Sequence, residues 1–356
     1  MPAETFYTLI ARNKRNSVIL IAVFMLFFAA MGLLIGYAWS SYFVGHSSVT
    51  PPVTYHSYGQ PSPGPEAEPT RPARPVPQER PARQDQHDWN FAIAVAVGAA
   101  GIAFILTLIS YYGGASAILS MSQAHEVSQQ DDPQLWNVVQ EMAIAGGLPM
   151  PRVYIIEDTA MNALATGRDP KHSAVAVTRG LRDKLTRDEL QAVIAHEMSH
   201  VRHYDIRYAM LMAVMVGVLV MLCDVFLRSF WYGGRRSSRS SSQRGGNPLQ
   251  IVLIVIAIIL AIVAPILAKI IELALSRQRE YMADAGGVEL ALNPQALASA
   301  LAKVSGDEEV LEVANRATAP LFFAHPIKEF ESRASSIFDS HPPIRERIKR
   351  IMQLGT

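Results

Sequence analysis

Residues 186–207 read Thr-Arg-Asp-Glu-Leu-Gln-Ala-Val-Ile-Ala-His-Glu-Met-Ser-His-Val-Arg-His-Tyr-Asp-Ile-Arg, and the rest of the chain is organised around them. Thr186 with Glu189 three positions on forms a capping box, which opens a helix. Leu190, Val193, Ile194 and Val201 fall on its apolar side, and His196, Glu197 and His200 on its polar side. Positions i and i+4 of a helix lie about 6 Å apart on one face, so both imidazoles reach one ion while Glu197 stands beside it. Two neutral imidazoles suit a borderline dication such as zinc. With 10 His in 356 residues, His-Glu-x-x-His arises somewhere in the chain by chance about once in 70 such sequences, which makes coincidence the weaker reading.

A catalytic zinc takes three protein ligands and keeps a fourth position for water. The lone cysteine, Cys223, excludes a thiolate cluster and any intramolecular disulfide, so the third ligand comes from His, Asp or Glu. A carboxylate also balances the charge of a dication in a partly dry cleft. Ser276 to Asp284 reads Ser-Arg-Gln-Arg-Glu-Tyr-Met-Ala-Asp, placing Glu280 and Asp284 at i and i+4. One of the two can bind metal while the other accepts a hydrogen bond from a ligand histidine.

The chain between these segments explains how they meet. Apolar runs at Val18–Trp39, Phe91–Tyr112, Tyr208–Cys223 (continuing to Phe230) and Ile251–Leu275 approach or reach the roughly 20 residues that cross a bilayer. Antiparallel third and fourth spans return Glu280 to the membrane face that carries His200. Arg12, Lys14 and Arg15 precede the first run, which reads as an uncleaved anchor with its N-terminus in the cytoplasm. Residues 113–207 and 276–356 are then cytoplasmic. Arg235, Arg236, Arg239 and Arg244 in the link between spans three and four oppose that orientation, unless the last two helices form a hairpin that does not cross. Residues 40–89 hold ten of the 22 prolines and read as an extended extracytoplasmic loop.

Apolar residues make up 50% of the chain and charged ones 18%, with mean hydropathy +0.16, a balance foreign to an ordinary cytosolic enzyme. The formal net charge of +1 gives no reason to expect a nucleic-acid partner. Among the polar segments, Asp132-Pro133 starts an amphipathic helix that Gly146-Gly147 ends. Arg152–Ile156 and Ala174–Thr178 are short β-branched runs, read as strands of one small sheet.

These residues together resemble the HtpX-type heat-shock membrane metalloproteases, relatives of the CAAX prenyl proteases. The resemblance spans about Ser110 to Met352 and includes Asn162-Ala163-Leu164-Ala165-Thr166-Gly167 and His341-Pro342-Pro343-Ile344-Arg345-Glu346-Arg347. It implies one zinc held by His196, His200 and Glu280, a catalytic base at Glu197, and Asp284 supporting a ligand from behind. It further implies that His341 and Arg347 border the active site and that Asn162 helps hold substrate. An extended substrate is expected to add as a strand beside Ala174, Val175, Ala176 and Val177; the competing reading makes that segment an interior strand with no free edge.

The expected fold class is an α-helical integral membrane protein of about four transmembrane helices carrying a mostly helical, α+β zincin-like metalloprotease domain with one small sheet. Its expected parts are the first anchor (1–39), the proline-rich loop (40–89), the second span (90–112), the HExxH half of the protease domain (113–207), the third and fourth spans (208–275) and the half with the third ligand (276–356). The expected activity is zinc-dependent cleavage of misfolded or damaged membrane proteins at the cytoplasmic face of the inner (plasma) membrane. The competing reading is a proteolytically inactive zinc-binding scaffold or adaptor, which would have no use for Glu197. The residues say nothing of oligomeric state.

Overall fold

The computed structural model describes residues 6–46, 89–215, 217–219, 221, 277–307, 309–313, 318, 321–323 and 342–354. Residues 47–88 of the proline-rich loop, His341 and all of residues 222–276, which include the arginine-bearing link and the expected fourth span, lie outside them. Two of the described helices, α1 (Phe6–His46) and α2 (Trp89–Met121), are long and apolar enough to cross a bilayer. They run antiparallel, with the Tyr37 and Trp89 rings 5.5 Å apart at one end. Both continue past their apolar stretches, and α2 ends nine residues beyond the Tyr112 boundary expected from hydropathy.

Beyond α2 the chain forms β1 (Ala124–Glu126), α3 (Pro133–Ala145), β2 (Arg152–Ile156), β3 (Ala163–Gly167), β4 (Ser173–Thr178), α4 (Arg179–Lys184) and α5 (Arg187–Arg202). After the undescribed stretch come α6 (Arg277–Ala291), α7 (Pro294–Gly306) and α8 (Ile344–Leu354). The caps read from sequence are present. Asp132 accepts from the Leu135 amide at 2.9 Å, and Thr186 and Glu189 close a reciprocal capping box at the start of α5.

The sheet has the order β1-β2-β4-β3. Strand β4 pairs in parallel with β2 on one side and antiparallel with β3 on the other. Ala174–Val177 therefore has no free edge, and the expectation that substrate adds beside it is corrected. Every residue of β4 is buried, as suits a strand covered on both faces. Val153, Ile155, Val175 and Val177 face Val139 of α3 and Val193, Ile194 and Met198 of α5. Tyr154, Ile156, Leu164 and Ala176 face Ile118 of α2 and Met210 of the helical stretch at residues 205–215. The sheet thus separates the helices that carry the polar residues from the ends of the membrane helices.

Candidate metal centre

Helix α5 supplies the two histidines and α6 the two carboxylates, and their close approach depends on Gly286 and Gly287. A methyl group at Gly286 would collide with Ser199 Oγ, and one at Gly287 would lie 3.0 Å from both Cα and N of His196. Only backbone fits there, so α6 lies directly against α5 with Glu280 and Asp284 projecting to either side of the His196 ring.

Glu280 carboxylate oxygens stand 3.8 Å from His196 Nε2 and 3.7 Å from His200 Nε2. These separations are too long for hydrogen bonds. Ligand bonds of about 2.1 Å at tetrahedral angles separate donor atoms by about 3.4 Å, so the spacing fits three ligands of one zinc. His196, His200 and Glu280 offer donor atoms that all lie within 4.8 Å of one another. His196 Nε2 is buried with no hydrogen-bond partner among the described residues.

The other nitrogen of each imidazole is engaged by a carboxylate. Asp284 lies 3.0 Å from His196 Nδ1, and Asp205 3.1 Å from His200 Nδ1. Each carboxylate fixes the tautomer that leaves the Nε2 lone pair aimed at the centre. Arg347, only 1% exposed, grips Asp284 through Nη2 at 2.7 Å and Nε at 2.9 Å. It also donates to the Phe323 carbonyl at 3.2 Å and lies 3.5 Å from Glu280. Arg347, which the resemblance sets at the border of the active site, is buried beside both α6 carboxylates.

The electrostatics of the cluster suit a cation-binding site. Burial pushes the Glu197 carboxyl up to about 7, assisted by the nearby Glu280 charge. Burial also lowers His196, to about 4, against the pull of Asp284. At His200 burial acts in the same direction but is outweighed by Asp205 and Glu280, which raise the imidazole to about 9. A dication would displace that proton, since an imidazole ligates only when neutral.

Glu197 lines the same cleft as His196, His200, Glu280 and Ala165, and the Ala165 backbone amide faces its carboxylate. Ala165 belongs to β3, the strand at the end of the sheet. Phe322 forms an antiparallel bridge with Leu164, and the Phe323 amide donates to the Ala163 carbonyl at 2.8 Å. Phe323 also packs edge-on against His196, with centroids 5.0 Å apart. Asn162 precedes β3 and is buried; its carbonyl accepts from Thr178 N and Oγ1, each at 2.9 Å, and it is not among the cleft's lining residues. His203 turns toward Ser199 Oγ at 3.3 Å.

Sequence reasoning missed Gly286, Gly287, Asp205 and Phe323. Paired glycines inside a helical pattern are themselves a sign of close packing. Nothing in the sequence pointed to Phe323.

Comparison with known proteins gives a consistent result. A family model described as Peptidase family M48 matches residues 129–354. The Protease HtpX homolog of Listeria monocytogenes serotype 4a (strain HCC23) is 43% identical over 267 residues, covering 74% of this chain and 88% of that protein. The Protease HtpX homolog of Lactobacillus acidophilus is 36% identical over 347 residues, 97% of this chain and 98% of that protein. The latter similarity extends into the N-terminal hundred residues, beyond the Ser110–Met352 range that the motifs mark out. Among solved structures, Ste24p of S. mikatae is 20% identical with a TM-score of 0.42, covering 74% of this chain and 58% of that one.

Proposed function

The chain belongs to peptidase family M48 as an HtpX-type membrane metalloprotease, and from that premise we propose a zinc-dependent endopeptidase that cleaves misfolded or damaged membrane proteins at the cytoplasmic face. The observation that carries this reading is the convergence of His196, His200 and Glu280 within 4.8 Å, with Glu197 in the same cleft. His196 and His200 would hold zinc through Nε2 and Glu280 through its carboxylate. When bound, zinc lowers the pKa of a water toward neutrality and polarises the scissile carbonyl.

Glu197 takes a proton from the attacking water and passes it to the leaving amine. Burial, which raises the Glu197 carboxyl, favours its holding the proton between the two transfers. Asp284 and Asp205 keep the two imidazoles in their ligating tautomers, and Arg347 holds Asp284 and faces Glu280. His341 is assigned by the family resemblance to the rim of the site, where an N–H would steady the developing oxyanion.

Substrate is assigned to the outer edge of β3, from Ala163 to Gly167, the strand that Asn162 opens. Phe323 and Phe322 pair antiparallel with Ala163 and Leu164 and set Leu321 opposite Ala165, so the peptide is assigned to the part of that edge beyond Ala165, at Thr166 and Gly167. Main-chain pairing gives affinity with little demand on sequence, which suits an enzyme of broad specificity. The two apolar helices confine such an enzyme to substrates at the bilayer. The cytoplasmic side follows from Arg12, Lys14 and Arg15, because the start of α1 contacts the corner after α5.

Glu197→Gln tests the reading. Hydrolysis of casein or of a membrane substrate by the full chain is expected to be abolished while zinc stays near one ion per chain. Retained hydrolysis would overturn the assignment of the base.

A further inference from the structure

The anchoring helix reaches the metal centre through one side chain. Asn13 is 1% exposed, although it stands among charged residues at the start of α1. Its Nδ2 donates to the His203 carbonyl at 3.0 Å and to Asp205 Oδ1. Asp205 Oδ2 in turn faces His200 Nδ1 at 3.1 Å. The chain of contacts therefore runs from α1, through one carboxylate, to the ring expected to ligate zinc.

The corner that carries Asp205 does not hold itself. Tyr204, between His203 and Asp205, has φ +62, a conformation uncommon for a bulky side chain and retained only where the surroundings impose it. Lys14 Nζ, also on α1, lies 4.3 Å from the centre of the Tyr204 ring, and the Arg207 guanidinium 5.2 Å. The Asn13 amide occupies a carbonyl at the C-terminal end of α5, one of the groups a helix end leaves unsatisfied. It also occupies Asp205 Oδ1, which leaves Oδ2 for His200. Arg279 Nε, 3.7 Å from the same Oδ1, adds charge without a hydrogen bond.

We propose that Asn13 is a positioning residue of the zinc site, holding Asp205 so that Asp205 holds His200, and that docking of the anchor helix is thereby coupled to metal retention. The inference rests on His200 being a zinc ligand. That reading is tested separately by His200→Ala, which is expected to abolish stoichiometric zinc binding.

The experiment measures the rate of zinc release to a chromogenic chelator from the full chain in detergent micelles. Asp205→Ala is expected to release zinc about 10–100-fold faster, the usual effect of removing a carboxylate that supports a ligand histidine. Asn13→Ala is expected to accelerate release about tenfold through the same route, and the double variant to release no faster than Asp205→Ala alone. Asn13→Asp keeps the shape of the side chain but sets a carboxylate against Asp205, so it is expected to exceed Asn13→Ala; it serves also if the alanine variant fails to assemble. Wild-type release rates in either Asn13 variant, or accelerations that multiply in the double variant, would overturn the proposal while leaving zinc ligation by His200 standing.

Discussion

Replacing Arg347 with alanine is expected to lower stability more than any other single change in α8, for reasons that follow from its contacts. The guanidinium is buried and makes two short bonds to Asp284, at 2.7 and 2.9 Å, and a third to the Phe323 carbonyl. Burial acts to raise the Asp284 carboxyl, but the Arg347 charge and the hydrogen bonds from His196 and Arg347 outweigh it and hold the group below its ordinary value. Among the described residues, truncation leaves the buried Asp284 carboxylate with His196 Nδ1 as its remaining partner. Removing one partner of a buried ion pair costs about 3–5 kcal/mol. For a protease domain of this size that corresponds to a melting temperature lower by about 6–20 °C. The assay is thermal unfolding of the zinc-loaded full chain in one detergent at one scan rate, since a membrane protein's unfolding is rate-dependent. Replacing both residues, as Asp284→Leu with Arg347→Met, removes the stranded charge. The double variant is expected to be destabilised by less than the sum of the two single variants, with a coupling of about 1–3 kcal/mol. A loss under about 1 kcal/mol in Arg347→Ala, or strict additivity, would refute the argument that the pair is desolvated and mutually dependent.

Other consequences are equally direct. Gly287→Val sets a branched side chain against the His196 backbone, where a methyl alone would approach to 3.0 Å; the expected cost is about 1–3 kcal/mol, with weaker zinc binding by isothermal titration. Glu189 joins α5 to α7 by accepting from Ser299 Oγ at 2.6 Å and Lys303 Nζ at 2.7 Å. Burial acts to raise its carboxyl, but these bonds and the Thr186 amide outweigh it and bring the group to about 2. Because the folded value lies below the ordinary 4.5, the stabilisation is complete above about pH 4.5 and is lost as pH falls toward 2. Allowing for the half-exposed Lys303, it amounts to about 1–2 kcal/mol, and Glu189→Gln is expected to flatten the melting temperature across that pH window. Replacing Ala165 by proline removes the amide that faces Glu197 and is expected to lower kcat with zinc content unchanged, read by peptide cleavage alongside metal analysis.

The parts of this molecule legible in the sequence are those set by short-range rules. The capping box at Thr186, the Asp132 cap, the i, i+4 histidines and the β-branched runs at 152–156 and 174–178 depend on neighbours a few positions away, and each appears where local chemistry places it. What was misplaced depends on distant pairing. The reading of Ala174–Thr178 as the substrate edge fails because β3 and β2 flank it. Its unbroken run of small and branched apolar residues, with no alternating polar position before Thr178, already suited a strand buried on both faces. Strand β3 itself escaped periodicity because Ala-Leu-Ala-Thr-Gly has little β-branched character, and only the family resemblance marked the segment. Asp205 and Asn13 were invisible for a further reason. Their roles arise from a contact across 192 residues, and from sequence Asn13 is merely one polar residue in a basic cluster.

Zinc K-edge X-ray absorption on the full chain tests the central claim most directly. Two imidazole nitrogens at about 2.0–2.1 Å with carboxylate and water oxygens at similar distance are the result predicted by three side chains from α5 and α6 closing on one ion. A sulfur shell, or a single imidazole among oxygens, would contradict it.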